Sequence, residues 1–593
     1  MSVSSAAAIE AGASAVAADG PRPATTRPRT LARVGTCLQA LSARPEVPLL
    51  ALVATATWLV VAGRAGWADL SSTAAAHVGA RSWWALLRGA TDPAGSAAVG
   101  LPAPTWLAAA SVALLGPGRM SVLVPQALVV GGTVALVHAA LIRFLPRIDA
   151  FAATLLLVTS PLLVVVATTS GPGALLLAST TVAPLAAWRA GRRGRARWAA
   201  VAGAALGVGF LSAGVWALLV VPACVVALAL APTPRRGRAR ALVVGGVATA
   251  ASAGWWPGLL ALFPSHAPWG LGAQVRDQLL TPLRLISAGF AAGPGAWESA
   301  FASGTDSDLG WGFALLAVVA VALGVGGTLC LWWGRPVTDL DGGPTGGHTS
   351  GGGLLARALV VVASWILPPA VALIALGAGG ATTADATSAL GRAGAITAAP
   401  LVAPLVLLAA LGWEAIRIQR RSAGVARWHA LAGGLLVVVL LVPSAQTALS
   451  GASASRNGRE ATEGVLVPNA TLISMAQTDA DSFTWVAATV GGEQAGTLQL
   501  AIGAPVMTVG GVSGTQDVPS LAQFQALVAA GRVHYWVEPI GTGTTGTAAS
   551  AGGTGSGTGA SGSAGAIGQW VSDNATCDEV GSALVCDLSG RAD

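Results

Sequence analysis

Apolar runs long enough to cross a bilayer alternate along this chain with arginine-rich or polar segments. Eleven runs read as spanning helices: Val47–Gly63, Ser121–Ile142, Ala150–Thr168, Pro172–Trp188, Trp198–Leu211, Val215–Ala231, Ala241–Phe263, Trp311–Gly334, Ala358–Gly377, Ala395–Trp413 and Ala430–Ala448. A span needs roughly 20 predominantly apolar residues, and about 17 suffice. Backbone that faces lipid must satisfy its own hydrogen bonds, so each run is expected to be helical. The shortest run, Trp198–Leu211, is required by its flanks. Arg189 to Arg197 precede residues 198–231 and Arg235 to Arg240 follow them, so the stretch crosses twice and turns near Ser212–Gly214. Pro102–Gly116 is apolar but short. Counting it as a span would put Arg143, Arg147 and Arg192/Arg193 on the opposite side, so it reads as a helix lying at the outer interface.

The same charge asymmetry predicts an N-terminus inside and a C-terminus outside. Arg335 to Arg357, and Arg417, Arg420, Arg421 and Arg427, then fall in inner segments. Residues 1–45 read as a cytoplasmic tail, Ala/Ser-rich and then basic, without the cleavage pattern of a signal peptide. Residues 46–448 form the transmembrane domain. Its outer loops 64–120 and 264–310 are long enough to hold a site, and the inner, Gly-rich Asp339–Gly353 reads as a flexible link.

After Ala448 the pattern changes. Helix is expected at Thr471–Asp479, strand at Thr484–Val490, helix at Glu493–Ile502 and strand at Pro505–Gly510. A helix at Ser520–Ala530 follows, with Ser520 as N-cap and Gly531 as stop, and then a strand at Val533–Glu538. This alternation predicts a small parallel sheet flanked by helices over residues 449–540. Residues 541–565 are Gly/Ser/Thr-rich and expected to be disordered. The domain resumes at 566–593, with helix at Ile567–Ser572 and a last strand at Ala583–Leu588. Cys577 and Cys586 have eight residues between them. Outside the membrane they could form a disulfide; the alternative is two reduced buried thiols.

Composition narrows the function. The chain has 593 residues, 53% of them hydrophobic and only 10% charged, against about 25% charged in soluble domains. A net charge of +7 could suit nucleic acid, but no lysine is present and the arginines sit at the ends of apolar runs. The lipid bilayer is the partner this implies, and nucleic acid is excluded. None of the five cysteines falls in a metal-ligand spacing.

Several segments carry a family resemblance: Ser121-Val-Leu-Val-Pro-Gln-Ala-Leu128, Ser252-Ala-Gly-Trp-Trp256, Thr484-Trp-Val-Ala-Ala-Thr-Val490, Gly503-Ala-Pro-Val-Met507, and Leu521-Ala-Gln-Phe524 running into His534-Tyr535. From about Gly66 to Leu588 the chain resembles the GT-C membrane glycosyltransferases of the protein O-mannosyltransferase and aminoarabinose-transferase type. More closely, it is similar to a bacterial putative-mannosyltransferase subgroup with a C-terminal outer domain. The resemblance implies a multi-pass GT-C fold in a bacterial plasma membrane and a polyprenyl-phosphate sugar donor. It also implies an acidic general base on the first outer loop, and cationic groups or a divalent metal at the phosphate.

The chain departs from that family at polar motif positions. Its first loop reads Trp67-Ala68-Asp69-Leu70-Ser71-Ser72, without the family's tyrosines. Gly100-Leu101-Pro102-Ala103 stands for the family's Asp-Lys-Pro-Pro, Gly171-Pro172-Gly173 for Asn-Pro-Asp, and Ser212-Ala213 for Thr-Lys. Asp69 is the candidate base; the alternative is an exposed loop carboxylate. Asp92, in Thr91-Asp-Pro93, reads as a turn initiator, and His77 as a surface or packed histidine. Arg64, Arg81, Arg88 and Arg119 flank the loop, and one could hold a lipid phosphate; interfacial snorkelling is the other reading. Trp255 and Trp256 are candidate substrate contacts or lipid-boundary markers.

Two functions follow. One is a glycosyltransferase moving a sugar from a polyprenyl-phosphate donor to a cell-envelope acceptor. The other is a non-catalytic relative serving as a binding or assembly partner, paired with a paralogous membrane subunit. A transporter is third, since no ionisable residue is read as buried within a span.

Overall fold

The computed structural model describes residues 45–64, 70–160, 163, 172–262, 271–291, 310–333, 351–380, 386–421, 468–540 and 562–589. The expected span Ala430–Ala448, most of the Gly-rich link 339–353, residues 541–561 of the insert, the tail to residue 44 and Asp69 lie outside the described residues.

The membrane portion begins with α1 (Glu46–Arg64). The first loop carries three helices, α2 (Leu70–Arg81), α3 (Trp83–Arg88) and α4 (Ala103–Leu115). Then come α5 (Arg119–Leu141), α6 (Arg147–Val158), α7 (Pro172–Arg193) and α8 (Ala196–Ala213). A 3-10 turn at Gly214–Val220 leads into α9 (Val221–Ala229), followed by α10 (Arg235–Leu262). α11 (Leu271–Ala291), α12 (Gly310–Trp333), α13 (Gly351–Gly380) and α14 (Ala386–Arg421) complete this portion.

Among the described residues five helical stretches are long and apolar enough to cross a membrane: Met120–Leu141, Ala196–Ala229, Leu315–Trp332, Gly353–Ala375 and Pro400–Ile418. The stretch 196–229 is folded back on itself. The Ser212 hydroxyl donates to the Pro172 carbonyl at 3.1 Å, and Gly209 packs against Ser179, so the turn lies at the start of α7. Gly191, at the other end of α7, packs against Ala227 and Ala231. The chain therefore runs along α8 and doubles back along α9, with the reversal at the expected turn near Ser212–Gly214. Gly214, with φ +62°, occupies the reversal, where a side chain would be strained.

Lipid gives helices no hydrophobic reason to associate, so small residues and polar contacts join them. A Cβ at Gly203 would collide with the Gly245 carbonyl, which lets α8 lie directly on α10. Gly412 likewise lets α14 approach Leu323 and Gly324 of α12. His138 on α5 hydrogen-bonds Thr154 on α6 at 2.9 Å. Arg417 donates to Glu414 at 2.7 and 2.8 Å and reaches Asp149 of α6 at 3.7 Å. His138 and Glu414, 1% and 5% exposed, are buried ionisable groups that the sequence reading did not place.

The second loop, 264–310, to which the sequence reading assigned no element, contains the 21-residue α11. Arg276, Asp277 and Arg284 interrupt its apolar pattern, which hid the helix.

The C-terminal domain comprises α15 (Ala470–Gln477), β1 (Trp485–Val490), α16 (Gly492–Ile502), β2 (Val506–Val509), α17 (Leu521–Ala529), β3 (Val533–Pro539), α18 (Ser563–Asn574), β4 (Thr576–Val580) and β5 (Ala583–Asp587). Its sheet has the order β2-β1-β3-β5-β4, with β2, β1 and β3 parallel and β5 and β4 antiparallel. The parallel half and its helices match expectation. Ser520 caps α17 in a full capping box with Gln523, and Gly531, with φ +62°, follows the helix. The sequence reading missed β4. It pairs with β5 across the turn at Gly581, placing Cys577 opposite Cys586, and the two form a disulfide.

Candidate functional site

The loop between α3 and α4 is rigid for local reasons. Gly89, left-handed at φ +63°, closes α3. Thr91 and Ala97 pair through the backbone, and Ala90 bridges Ala98. Inside this loop Asp92 is 0% exposed. Its Oδ1 accepts from the amides of Ala94 and Gly95, both at 2.9 Å, and its Oδ2 from the Ser96 amide at 2.8 Å and the Ser96 hydroxyl at 2.5 Å. Burial pushes this carboxyl up, and the donors pull it back toward the anion. Asp92 thus builds the turn, as its Thr-Asp-Pro context predicts.

The turn docks the C-terminal domain. Trp485 Nε1 donates to Asp92 Oδ1 at 3.1 Å. Gln499 Nε2 on α16 donates to the Thr91 carbonyl at 2.8 Å, and its Oε1 accepts the Val506 amide at 3.2 Å. Ser96 Oγ accepts the Thr508 amide at 3.0 Å. Since β2 is an edge strand, these bonds occupy donors that would otherwise face outward. Glycines bring α2 and α16 together: a Cβ at Gly496 would stand 2.7 Å from the Leu70 carbonyl, and one at Gly492 would stand 3.1 Å from the Ser71 Cβ.

Beside this junction lies a cavity of about 710 Å³. One wall is Leu70, His77, Val78 and Arg81 of α2. The opposite wall is Thr497, Gln499 and Leu500 of α16, with Gly503 and Pro505 after it. Pro93, Pro117 and Pro468 close the rim. The lining is mainly apolar with a few polar groups, the usual make-up of a small-molecule site. His77 is half-buried, and burial, then the charge of Arg81, holds its imidazole below the ordinary value.

The candidates from the sequence fall as follows. Arg81 lines the cavity. Asp69 is outside the described residues, and its neighbour Leu70 is in the cavity wall. Arg64 closes α1. Arg119 opens α5 directly after Pro117 and Gly118, which also line the cavity. Trp256 is 3% exposed and donates Nε1 to the Leu87 carbonyl at 2.7 Å, so it fastens α10 to the first loop. Trp255 pairs with Trp106 at 5.3 Å between ring centroids. Neither indole is in the cavity lining. Leu101 and Ala103, at the family's charged motif, are core residues at 7% and 5% exposure. Among the described residues no group of three or more His, Cys, Asp or Glu could hold a metal ion. The described residues of the site do not fit a metal ion.

Sequence reasoning missed His77 and Gln499 as cavity residues. The four-residue spacing of His77 and Arg81 was a readable sign that they share a face. Nothing in one sequence marks Gln499.

These features define a helical membrane protein whose C-terminal α/β domain is docked on its first loop. Residues 98–256 match the family model described as dolichyl-phosphate-mannose-protein mannosyltransferase. Residues 472–574 match the one described as putative mannosyltransferase YkcB-like, C-terminal. The two matches bear out the resemblance to GT-C mannosyltransferase-type proteins, in the membrane portion and in the C-terminal domain. No curated protein matches the chain. Among solved structures, ArnT from Cupriavidus metallidurans bound to undecaprenyl phosphate is 15% identical with a TM-score of 0.47, over 92% of this chain and 99% of that one. The Archaeoglobus fulgidus oligosaccharyltransferase in the apo form is 13% identical with a TM-score of 0.41, over 84% of this chain and 70% of that one. Likenesses this distant carry no inference.

Proposed function

We propose that this protein is a membrane glycosyltransferase that moves a sugar from a polyprenyl-phosphate donor to a cell-envelope acceptor. The observation that carries the reading is the cavity between α2 and α16. It joins the first loop to the C-terminal domain in a chain matched to mannosyltransferase models in both portions. The work is done at the outer face of a bacterial plasma membrane, with the N-terminus cytoplasmic and the C-terminal domain outside. That orientation rests on the arginine asymmetry. A probe at Ser513→Cys should then be labelled from outside, and one at Gly194→Cys only after permeabilisation.

In this reading the isoprenoid tail stays in lipid while the sugar phosphate enters the cavity. Arg81 holds the phosphate oxygens, with Arg64 and Arg119 at the neighbouring helix ends. Cationic contacts that strengthen as the leaving phosphate gains charge lower the barrier. Asp69 takes the acceptor's proton as the sugar–phosphate bond breaks.

The test is sugar transfer in membranes from a labelled polyprenyl-phosphate mannose. The wild type should transfer, and Asp69→Asn should be slower by roughly 10²–10⁴-fold. Full activity in Asp69→Asn would place the base elsewhere. A wild type that binds donor but never transfers would reject the enzyme and leave the partner role, in which a paralogous subunit performs the chemistry.

A further inference from the structure

The polar groups of the cavity are divided unequally between its walls. On the α2 side Arg81 is exposed and pairs with no carboxylate among the described residues. Beside it, Ser82 Oγ accepts the Ala85 amide at 3.4 Å, which leaves the hydroxyl proton to donate. His77, on the same side, has its Nε2 closed off from solvent. On the α16 side the polar side chains are already engaged. Thr497 donates its hydroxyl to the Glu493 carbonyl at 2.7 Å. The Gln499 amide is held at both ends, by the Thr91 carbonyl and the Val506 amide, and cannot turn to a ligand without undoing the junction. What this wall presents is Leu500, Ala501, Ala504 and Pro505.

That division selects a ligand. A sugar ring carries hydroxyls around its rim, and burying them against a wall whose polar side chains are engaged is costly. A hydrocarbon chain gains from the same wall. The matching molecule therefore has one anionic group, for Arg81 and Ser82, and apolar carbon directly next to it. A glycerophospholipid carries ester oxygens within its first carbons, whereas an isoprenoid phosphate is hydrocarbon from the first carbon onward.

The rim also offers such a chain a way out. Pro117 and Gly118 line the cavity, and their neighbours Leu114, Leu115 and Met120 are exposed apolar side chains. Met120 begins the span-length stretch Met120–Leu141. An apolar strip thus runs from the rim to a helix that is long and apolar enough to cross the bilayer.

We propose that the α16 wall of the cavity recognises the isoprene units next to the donor phosphate, with Leu500 as its main contact, and not the sugar. The inference rests on the cavity being the donor site. Arg81 and Ser82 hold the phosphate, the first isoprene units lie against Leu500 and Pro505, and the rest of the tail passes over Leu115 and Met120 into lipid. The cavity accordingly selects the lipid carrier and tolerates changes of sugar.

The probes are four phosphodiesters of equal charge: farnesyl-phosphoryl-mannose, farnesyl methyl phosphate, methyl-phosphoryl-mannose and dioctanoyl phosphatidylglycerol. Their binding to the full chain in detergent is measured by calorimetry. The two farnesyl probes should bind within about three-fold of each other. Methyl-phosphoryl-mannose should bind roughly 100-fold more weakly, and phosphatidylglycerol should not compete. Leu500→Asn should weaken both farnesyl probes about ten-fold and leave methyl-phosphoryl-mannose unchanged. Arg81→Gln should weaken every probe that binds. Thermal unfolding of each variant is compared with the wild type, and Leu500→Ala repeats the test if Leu500→Asn unfolds early. If methyl-phosphoryl-mannose binds as tightly as farnesyl-phosphoryl-mannose, and the Leu500 variants change neither while Arg81→Gln weakens both, the donor site stands and recognition of the chain fails. If phosphatidylglycerol competes as well as farnesyl methyl phosphate, the assignment to isoprene fails. If no probe binds in a way that depends on Arg81, the donor-site reading fails and takes this inference with it.

Discussion

Ser96 Oγ accepts the backbone N–H of Thr508 at 3.0 Å across 412 positions of sequence, while its own proton goes to Asp92. One hydroxyl thus joins the carboxyl that shapes the first loop to the edge strand of the C-terminal sheet. Removing Asp92 would leave the Trp485 indole, three loop amides and the Ser96 hydroxyl without their acceptor. Asp92→Ala should cost about 3 kcal/mol or more, because buried donors left unpaired lose the whole bond. Ser96→Ala should cost less, about 1–2 kcal/mol. Thermal unfolding of the detergent-solubilised chain, with hydrogen exchange at Thr508, measures both. Unchanged protection of the Thr508 amide in Asp92→Ala would contradict the linkage.

Gly496 admits the Leu70 backbone where a Cβ would stand 2.7 Å from it. Gly496→Val should push α16 off α2 at a cost of about 1–3 kcal/mol, the usual penalty for overpacking. The C-terminal core itself should survive. Cysteines introduced as Val78→Cys and Leu500→Cys, on opposite walls of the cavity, should cross-link readily in the parent and poorly in the Gly496→Val background. Equal cross-linking would mean that the close approach is not needed for docking.

Cys577 and Cys586 close a loop with a sequence separation of nine. By chain entropy such a short loop contributes about 2–3 kcal/mol. Replacing both by Ser should lower the C-terminal domain's stability by that amount. Alkylation of the non-reduced protein should modify neither residue. Modification of both would show two free thiols.

His534 is 7% exposed and stacked between Phe483, at 4.0 Å, and Tyr535, at 3.8 Å. Burial lowers its folded-state value, and Asp587 and Asp479 only partly oppose this. With the folded value depressed, the unfolded chain binds the proton first as pH falls. Stability is therefore complete above the unfolded histidine value of about 6.5 and declines below it, until the folded form also protonates. Hydrogen exchange of β3 in the full chain, corrected for intrinsic rates, should weaken from pH 7.5 to 5.5. His534→Gln should flatten that dependence. A steep dependence that persists in the variant would assign it to another group.

The parts of the fold that could be read in advance have a local cause. Arginines mark helix ends, and the fold-back over 196–229 follows from them. In the C-terminal domain, apolar strands, Ser520 and Gly531 mark successive elements. β4 escaped because Thr576, Asp578 and Glu579 are exposed, so this edge strand has no apolar face to betray it. α11 escaped because its charges break the period. The site was legible only in part. Arg81 and the turn at Asp92 could be inferred from their neighbours in sequence. Gln499, Ser96 and Trp485 matter through contacts hundreds of residues apart, and a single sequence holds no signal for such pairs. Trp256 misled for the opposite reason: an indole at a span end fits a boundary marker, a ligand contact and a packed anchor equally well.

The covered edge of β2 also sets an order in time. Ser96 is made long before Thr508, and a ribosome adding roughly 5–20 residues per second needs on the order of 20–80 s for the interval. Through that wait the Asp92 turn has already been threaded out of the ribosome, while the strand it protects does not yet exist. A chain stalled or cut anywhere between the two would present a docking surface with nothing to receive.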